Sequence, residues 1–238
     1  MKFQLNATAV VLIVGAVAGG TFLGVKGFEW GVHHYIVSHP EVLLEAEQAY
    51  AAKQDAAMVA KAKLAIQAHK AEIFSDARDP FVGPANAKVT VVQFADYRCP
   101  HCKAEAAPAV LAMIRKHPDV KFVFKEWPIF GAPSQAAAHA ALGAWKQGKY
   151  LPVYQAFMAE KTIDQAAIDR ILREQGLDPA KTMALGSTAD TAKQMLDTER
   201  LAMQLGAQGT PAFIIGDTMV PGAHMDDVEA LIQKGRKG

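Results

Sequence analysis

Both cysteines of this 238-residue chain lie in one tetrapeptide, Cys99-Pro100-His101-Cys102, so no disulfide of its own can staple distant segments together. The fold must be held by a buried core. At 51% hydrophobic the chain is long and apolar enough to form one, which excludes the small disulfide-stapled and the disordered classes. With 25 basic against 24 acidic side chains and a net charge of +1, no nucleic-acid partner is expected, because phosphate recognition needs a clear excess of Lys and Arg.

From Ala7 to Val25 the chain is apolar, and after Lys2 no charge appears before Lys26. Residues 1–26 therefore read as a signal peptide or a membrane anchor. A signal peptidase would cut after Ala18, behind the small residues of Ala16-Val17-Ala18; uncut, the run is just long enough to span a bilayer. In either version Lys2 stays inside and the remainder lies outside the cytoplasm, in the periplasm or on the outer face of the cytoplasmic membrane. A Cys-x-x-Cys pair can hold a disulfide in that compartment.

Residues 27–78 read as a helical arm. Ser38-His39-Pro40-Glu41 has the pattern of a capping box, with Pro40 tolerated in a first turn. From Glu41 to about Phe74 there is no Gly or Pro, and the best helix formers dominate. Leu43, Tyr50, Ala57, Leu64 and Ala71 recur every seven residues, beside a second stripe of Leu44, Ala51, Met58 and Ala65. A helix of this length needs a surface to lie against. That surface is either its own domain or, with residues 41–74 as an oligomerisation arm, further copies of the chain.

Asp79 to Asn86 reads as a Pro and Gly linker that ends the arm and opens one α/β domain, residues 79–238. Val89 to Ala95 is a short β-branched run of buried-strand type that leads straight into the cysteines. A helix opened by Pro100 should reach about Lys116 with a bend at Pro108, and Val120 to Lys125 is the next strand. A helical insert at about 134–205 follows. Strands at Ala212–Ile215 and Met219–Pro221 and a helix from about Met225 to Lys234 close the chain.

A cysteine attacks only as thiolate, so a working redox pair needs one sulfur whose charge is stabilised. Cys99 sits where a helix begins, with its unsatisfied N–H groups and positive dipole end. His101 can add positive charge or a donor, and Cys102 follows one helical turn later, close enough to donate its S–H or to close a disulfide. A stabilised thiolate leaves readily, so the disulfide should be easily reduced and should oxidise other thiols. Three other uses of the pair stand beside this one. A structural zinc site would need two further ligands, an inert disulfide would close a loop too small to stabilise much, and two thiolates would accept Cu(I).

These residues resemble the DsbA-like branch of the thioredoxin superfamily. The resemblance rests on Cys-Pro-His-Cys after Phe94-Ala95-Asp96-Tyr97-Arg98, on Gly209-Thr210-Pro211-Ala212-Phe213, which is similar to that family's cis-proline loop, and on a helical insert between the two. The arm is similar to the N-terminal extension of ScsC-like proteins, which trimerise through it. What the resemblance implies is a thioredoxin fold carrying a thiol:disulfide oxidoreductase without metal or cofactor. Cys99 would be the exposed attacking sulfur, Cys102 the buried resolving one and His101 the residue that tunes Cys99. Thr210 and Pro211 would bind substrate, with Pro211 cis and Thr210 pairing with it as an added strand. Its partners would be thiol-containing exported proteins and a membrane redox partner, with forming or rearranging disulfides as the activity. Binding copper through the same cysteines is the alternative. The family's buried acid six residues before the first cysteine is replaced by Gln93, which cannot take a proton from Cys102. Glu126 is the nearest substitute in the expected fold, although a surface salt bridge is the role its position suggests.

Overall fold

The computed structural model describes residues 26–237. The expected export segment therefore lies outside the described residues except for Lys26, and among those described no helix is long and apolar enough to cross a membrane. Contacts divide the chain into two compact units between Ala56 and Ala57. In the first, residues 26–38 are helical (α1), and α2, Glu41–Ala68, begins after a break at His39 and Pro40. The expected capping box is not formed. Ser38 is the last helical residue of α1, and the His39 N–H donates back to the Tyr35 carbonyl at 2.9 Å.

In the second unit, Ala62 and Ile66 near the end of α2 and Ile73 of α3 (Lys70–Phe74) are buried. Residues 57–78, grouped with the arm by sequence, thus supply part of the core; burying Ile66 and Ile73 contributes about 1.5–3 kcal/mol each. A five-stranded sheet carries the unit: β1 (Phe81–Val82), β2 (Thr90–Ala95), β3 (Lys121–Glu126), β4 (Ala212–Ile215) and β5 (Thr218–Pro221), in the order β1-β3-β2-β4-β5. β2 and β3 are parallel and joined through a helix, and every other pairing is antiparallel. The segment expected as a plain linker holds β1, where Phe81 and Val82 pair with Val123 and Phe122 at the sheet edge. Two residues are too few to show a period, and the flanking prolines hid them.

Alternation along the central strands builds a core on each face. Val91, Ala95, Phe122, Phe124 and Phe213 face the larger one, with the helices after the cysteines and most of the insert. Val92, Phe94, Val123, Ala212 and Ile214 face the second, which Ile66, Ile73, Leu201 and Leu205 close. The chain is helical from Pro100, but Cys102–Ala106 is a π-turn, in which the Ala107 N–H reaches the Cys102 carbonyl, before α4 (Ala107–Lys116) becomes regular. The bend expected at Pro108 therefore falls one turn earlier, because a proline N cannot donate to the preceding turn and that turn widens.

The insert comprises α5 (Ala132–Trp145), α6 (Tyr150–Ala159), α7 (Gln165–Glu174), α8 (Pro179–Gly186) and α9 (Ala189–Leu205), and α10 (Met225–Lys237) closes the chain. The side chains of Asp164, Asp178 and Thr188 cap α7, α8 and α9 by accepting the N–H three residues on. Helices α5 and α8 cross at Gly143 and Gly186, where a Cβ on either would collide with a backbone carbonyl of the other helix, Thr182 O and His139 O respectively. Gly143→Ala should accordingly cost about 1–3 kcal/mol through overpacking, despite alanine's higher helix propensity; a melting temperature at or above wild type would show that the crossing relaxes freely.

Candidate active site

The end of β2 and the start of β4 lie side by side, because Phe94 pairs with Ala212 in antiparallel register. The loop after β2 carries Asp96 to Cys99, and the loop before β4 carries Thr210 and Pro211, so the two sequence motifs meet although more than a hundred residues separate them. The Thr210-Pro211 peptide is cis. Cys99 Sγ–H donates to the Thr210 carbonyl at 3.0 Å, and the Cys102 backbone N–H lies 3.4 Å from the same sulfur. All five residues expected at the site are therefore in one place, save that the His101 ring is turned outward.

Two expectations need correction, and a third needs detail. Cys99 was expected to be exposed, yet the residue is 2% exposed, with the Thr210 loop closed onto its sulfur. The imidazole of His101, expected to tune Cys99, makes its hydrogen bond elsewhere: Nδ1 bonds Glu105 Oε1 at 2.7 Å, one turn along an exposed helix face, and the ring meets Cys99 only through a weaker coulombic coupling. Glu105 holds that ring protonated to a higher pH than usual, and His101 reaches the sulfur through its backbone N–H. Glu126 was expected at the surface and is buried. Its Oε1 accepts from both Tyr97 Oη and Tyr150 Oη at 2.7 Å, and burial pushes the carboxyl up to about 8 against the pull of those hydrogen bonds.

The two sulfurs are driven apart electrostatically. The Cys102 S–H stabilises a Cys99 thiolate, the Thr210 side chain and the N–H groups of Cys102 and His101 add to it, and together they overcome burial to bring Cys99 down to about 6. Cys102 is pushed strongly up, first by the Cys99 sulfur and then by its own complete burial. One thiol is thus a nucleophile and leaving group at neutral pH, while the other waits as S–H.

The surroundings are held by polar residues, and the sequence assigned no role to Asp96 or Lys103 among them. Asp96 is buried, and its carboxylate accepts from the Arg98 N–H at 2.7 Å, Ser134 Oγ at 2.7 Å, the Ile129 N–H at 2.7 Å and the Phe130 N–H at 3.0 Å. It fixes the cysteine loop to the loop after β3; its one signal was an acid in an otherwise apolar run. Lys103 Nζ donates to the carbonyls of Tyr97 at 2.9 Å and Phe157 at 3.1 Å, and burial lowers its affinity for a proton. Gln93 accepts from Tyr154 Oη at 3.0 Å. Among the described residues no group of three or more His, Cys, Asp or Glu side chains is arranged to hold a metal ion.

Glu105→Gln provides a contrast. The His101 imidazole should then titrate at lower pH, followed by proton NMR, while thiolate absorbance of the reduced protein keeps its Cys99 midpoint near about 6. A parallel shift of both midpoints would return the tuning role to the ring.

The model of the DSBA-like thioredoxin domain family matches residues 90–233. The chain is 29% identical over 175 residues to Disulfide bond formation protein D of Bacillus subtilis, covering 67% of this chain and 78% of that protein. The crystal structure of ScsC from Proteus mirabilis in a transitional conformation superposes with a TM-score of 0.66 at 30% identity, over 97% of this chain and 98% of that one. A third likeness, to the Na(+)/H(+) antiporter NhaA 3 of Salinispora tropica, is 29% over 160 residues, 65% of this chain. There the chain spans only about a quarter of the relative's length, 24%.

Proposed function

Because the chain belongs to the DSBA-like thioredoxin domain family, we propose that it forms or rearranges disulfides in exported proteins by exchange through Cys99 and Cys102. The observation that carries the reading is the split of the pair, with Cys99 lowered to about 6 beside the cis Thr210-Pro211 peptide and Cys102 buried beneath it.

In the oxidising direction a substrate thiolate attacks Cys99 Sγ of the Cys99–Cys102 disulfide. The S–S bond breaks, Cys102 leaves as thiolate and takes a proton, and substrate is held on Cys99. A second substrate thiolate then attacks the substrate sulfur, a substrate disulfide forms, and Cys99 departs as the stabilised thiolate. Two electrons pass from substrate to the pair, and a membrane redox partner removes them. The Thr210 carbonyl accepts from Cys99 S–H in the dithiol form; with Cys99 bound to substrate that carbonyl becomes available to an N–H of an extended peptide. The low value of Cys99 stabilises the reduced form, which favours the oxidant role. Rearrangement instead starts from that reduced form, whose Cys99 thiolate attacks a wrong disulfide.

The arm supports self-association. Leu43, Leu44, Tyr50, Met58, Val59 and Leu64 each keep more than half of their surface exposed, on a helix that an exported protein would present to water. Residues 41–74 would join copies of the chain through these side chains, in the periplasm or at the outer face of the cytoplasmic membrane.

Cys99→Ser should abolish oxidation of a reduced test protein and reduction of insulin, and retained activity would sink the assignment. Wild type should sediment as an oligomer and the double variant Leu43→Glu, Tyr50→Glu as a monomer with insulin reduction intact. A monomeric wild type would end the arm reading while leaving the exchange reading untouched.

A further inference from the structure

Thiol–disulfide exchange through Cys99 and Cys102 requires a proton to reach Cys102 each time it leaves and to depart each time it attacks. Gln93 cannot carry it. Cys102 is wholly buried, so bulk water does not reach it either. Gln93 and Ala95 on β2 and Phe124 and Glu126 on β3 share one face of the sheet by strand alternation and parallel register. That face lies under the π-turn at Cys102, in a core that also contains Tyr97, Tyr150, Tyr154 and Phe157.

Within that core Glu126 is a carboxyl with no cation on it. Its hydrogen-bond partners are the hydroxyls of Tyr97 and Tyr150, which stand 3.5 Å from each other. Tyr154 lies within the electrostatic reach of both Cys102 and Glu126 and donates to Gln93. The other charged neighbours do not neutralise the carboxyl: Lys125, adjacent on β3, points to the opposite face and pairs with Asp79, Lys103 is committed to two carbonyls, and Asp96 and Asp79 are acids that disfavour its charge. A structural carboxylate in a dry core is normally paired with a cation. One ringed by tyrosine hydroxyls can change its protonation state without breaking an ion pair.

Building on the exchange reaction assigned to the cysteine pair, we propose that Glu126 takes up and returns the proton of Cys102 during exchange, filling from β3 the part that an acid at position 93 would fill from β2. When Cys102 attacks a mixed disulfide on Cys99, its S–H proton passes to the Glu126 carboxylate. The Cys99–Cys102 bond forms, the bond to substrate breaks, and substrate leaves as thiolate. In the opposite direction Cys102 leaves as thiolate and receives the proton from the Glu126 carboxylic acid. In this scheme Glu126 is a proton carrier that touches no substrate. Burial holds it near about 8, so both forms are populated where exchange takes place.

The test uses the full chain, reduced, mixed with the chromogenic disulfide bis(nitrobenzoate) in stopped flow. Attack by Cys99 releases one coloured thiolate, and attack by Cys102 on the resulting mixed disulfide releases the second. The wild-type second phase should accelerate with pH and level off above about 8. In Glu126→Gln the first phase should be unchanged, and the second should slow on the order of a hundredfold at neutral pH and keep rising with pH without levelling. Tyr97→Phe, which removes one of the hydrogen bonds that lower Glu126, should move the plateau to higher pH; it decides the matter where Glu126→Gln fails to fold. A folded Glu126→Gln with the wild-type pH profile, or a Tyr97→Phe plateau that does not move, overturns the role of Glu126. A wild type that never releases the second thiolate overturns the exchange reading itself.

Discussion

The antiparallel pairing of β2 with β4 is the constraint on which the site depends. Phe94 opposite Ala212 sets the last residues of one strand against the first of the other, so the loop that follows β2 and the loop that precedes β4 must occupy the same end of the sheet. That register is what brings the cysteines and the Thr210-Pro211 loop together. A slip of one residue would turn Val92 and Phe94 toward the wrong core and carry Thr210 away from Cys99. The helical insert between β3 and β4 is tolerated because both its ends return to this sheet, and its helices cover the face on which the buried sulfur lies.

Within that frame, chemistry arises from unequal hydrogen bonding of two chemically identical, buried groups. Cys99 receives the N–H groups of the helix start and the S–H of its partner, whereas at Cys102 the Cys99 sulfur and the dry core outweigh the hydrogen bonds from Asp96 and Thr210. Helix geometry makes this inequality unavoidable: residues three apart lie on adjacent turns, one at the end where N–H groups are unpaired and the other inside. The carboxylate of Asp96 keeps the arrangement rigid by tying the cysteine loop to Ile129, Phe130 and Ser134. Exchange can then proceed by proton and electron movement with the backbone held in place.

Much of this was legible in the sequence. The β-branched run ending at Ala95, the tetrapeptide after it and the Gly209-Thr210-Pro211 loop identified the central strands, the site and the α/β class, and the helical block between them needed no long-range information. What escaped did so for physical reasons. The edge strand β1 is shorter than any period. The outward rotation of His101 depends on Glu105, whose spacing of four residues matters only once the helix is known to be exposed there. The end of α2 and α3 belong to the second core through Ile66 and Ile73, yet their small-residue stripe does not distinguish a partner chain from the chain's own sheet.

Lys125 and Glu126 make the same point at the level of one dipeptide. Read along the chain they are an opposite-charge pair near a strand end, the pattern of a solvated edge. Pleating sends them to opposite faces, both buried. Lys125 finds Asp79 and the Glu72 carbonyl, so its charge is compensated, and Asp79 rises only to about 6 because that cation offsets its burial. Glu126 finds hydroxyls, which satisfy its lone pairs without cancelling its charge, and it rises to about 8. Adjacent residues of the same strand therefore have different surroundings: one is held in an ion pair, and the other is a lone carboxyl that remains able to titrate among tyrosines. A tyrosine hydroxyl is strong enough as a donor to keep an acid in a dry core and too weak to fix it as an anion, and that balance leaves both protonation states of the acid within reach.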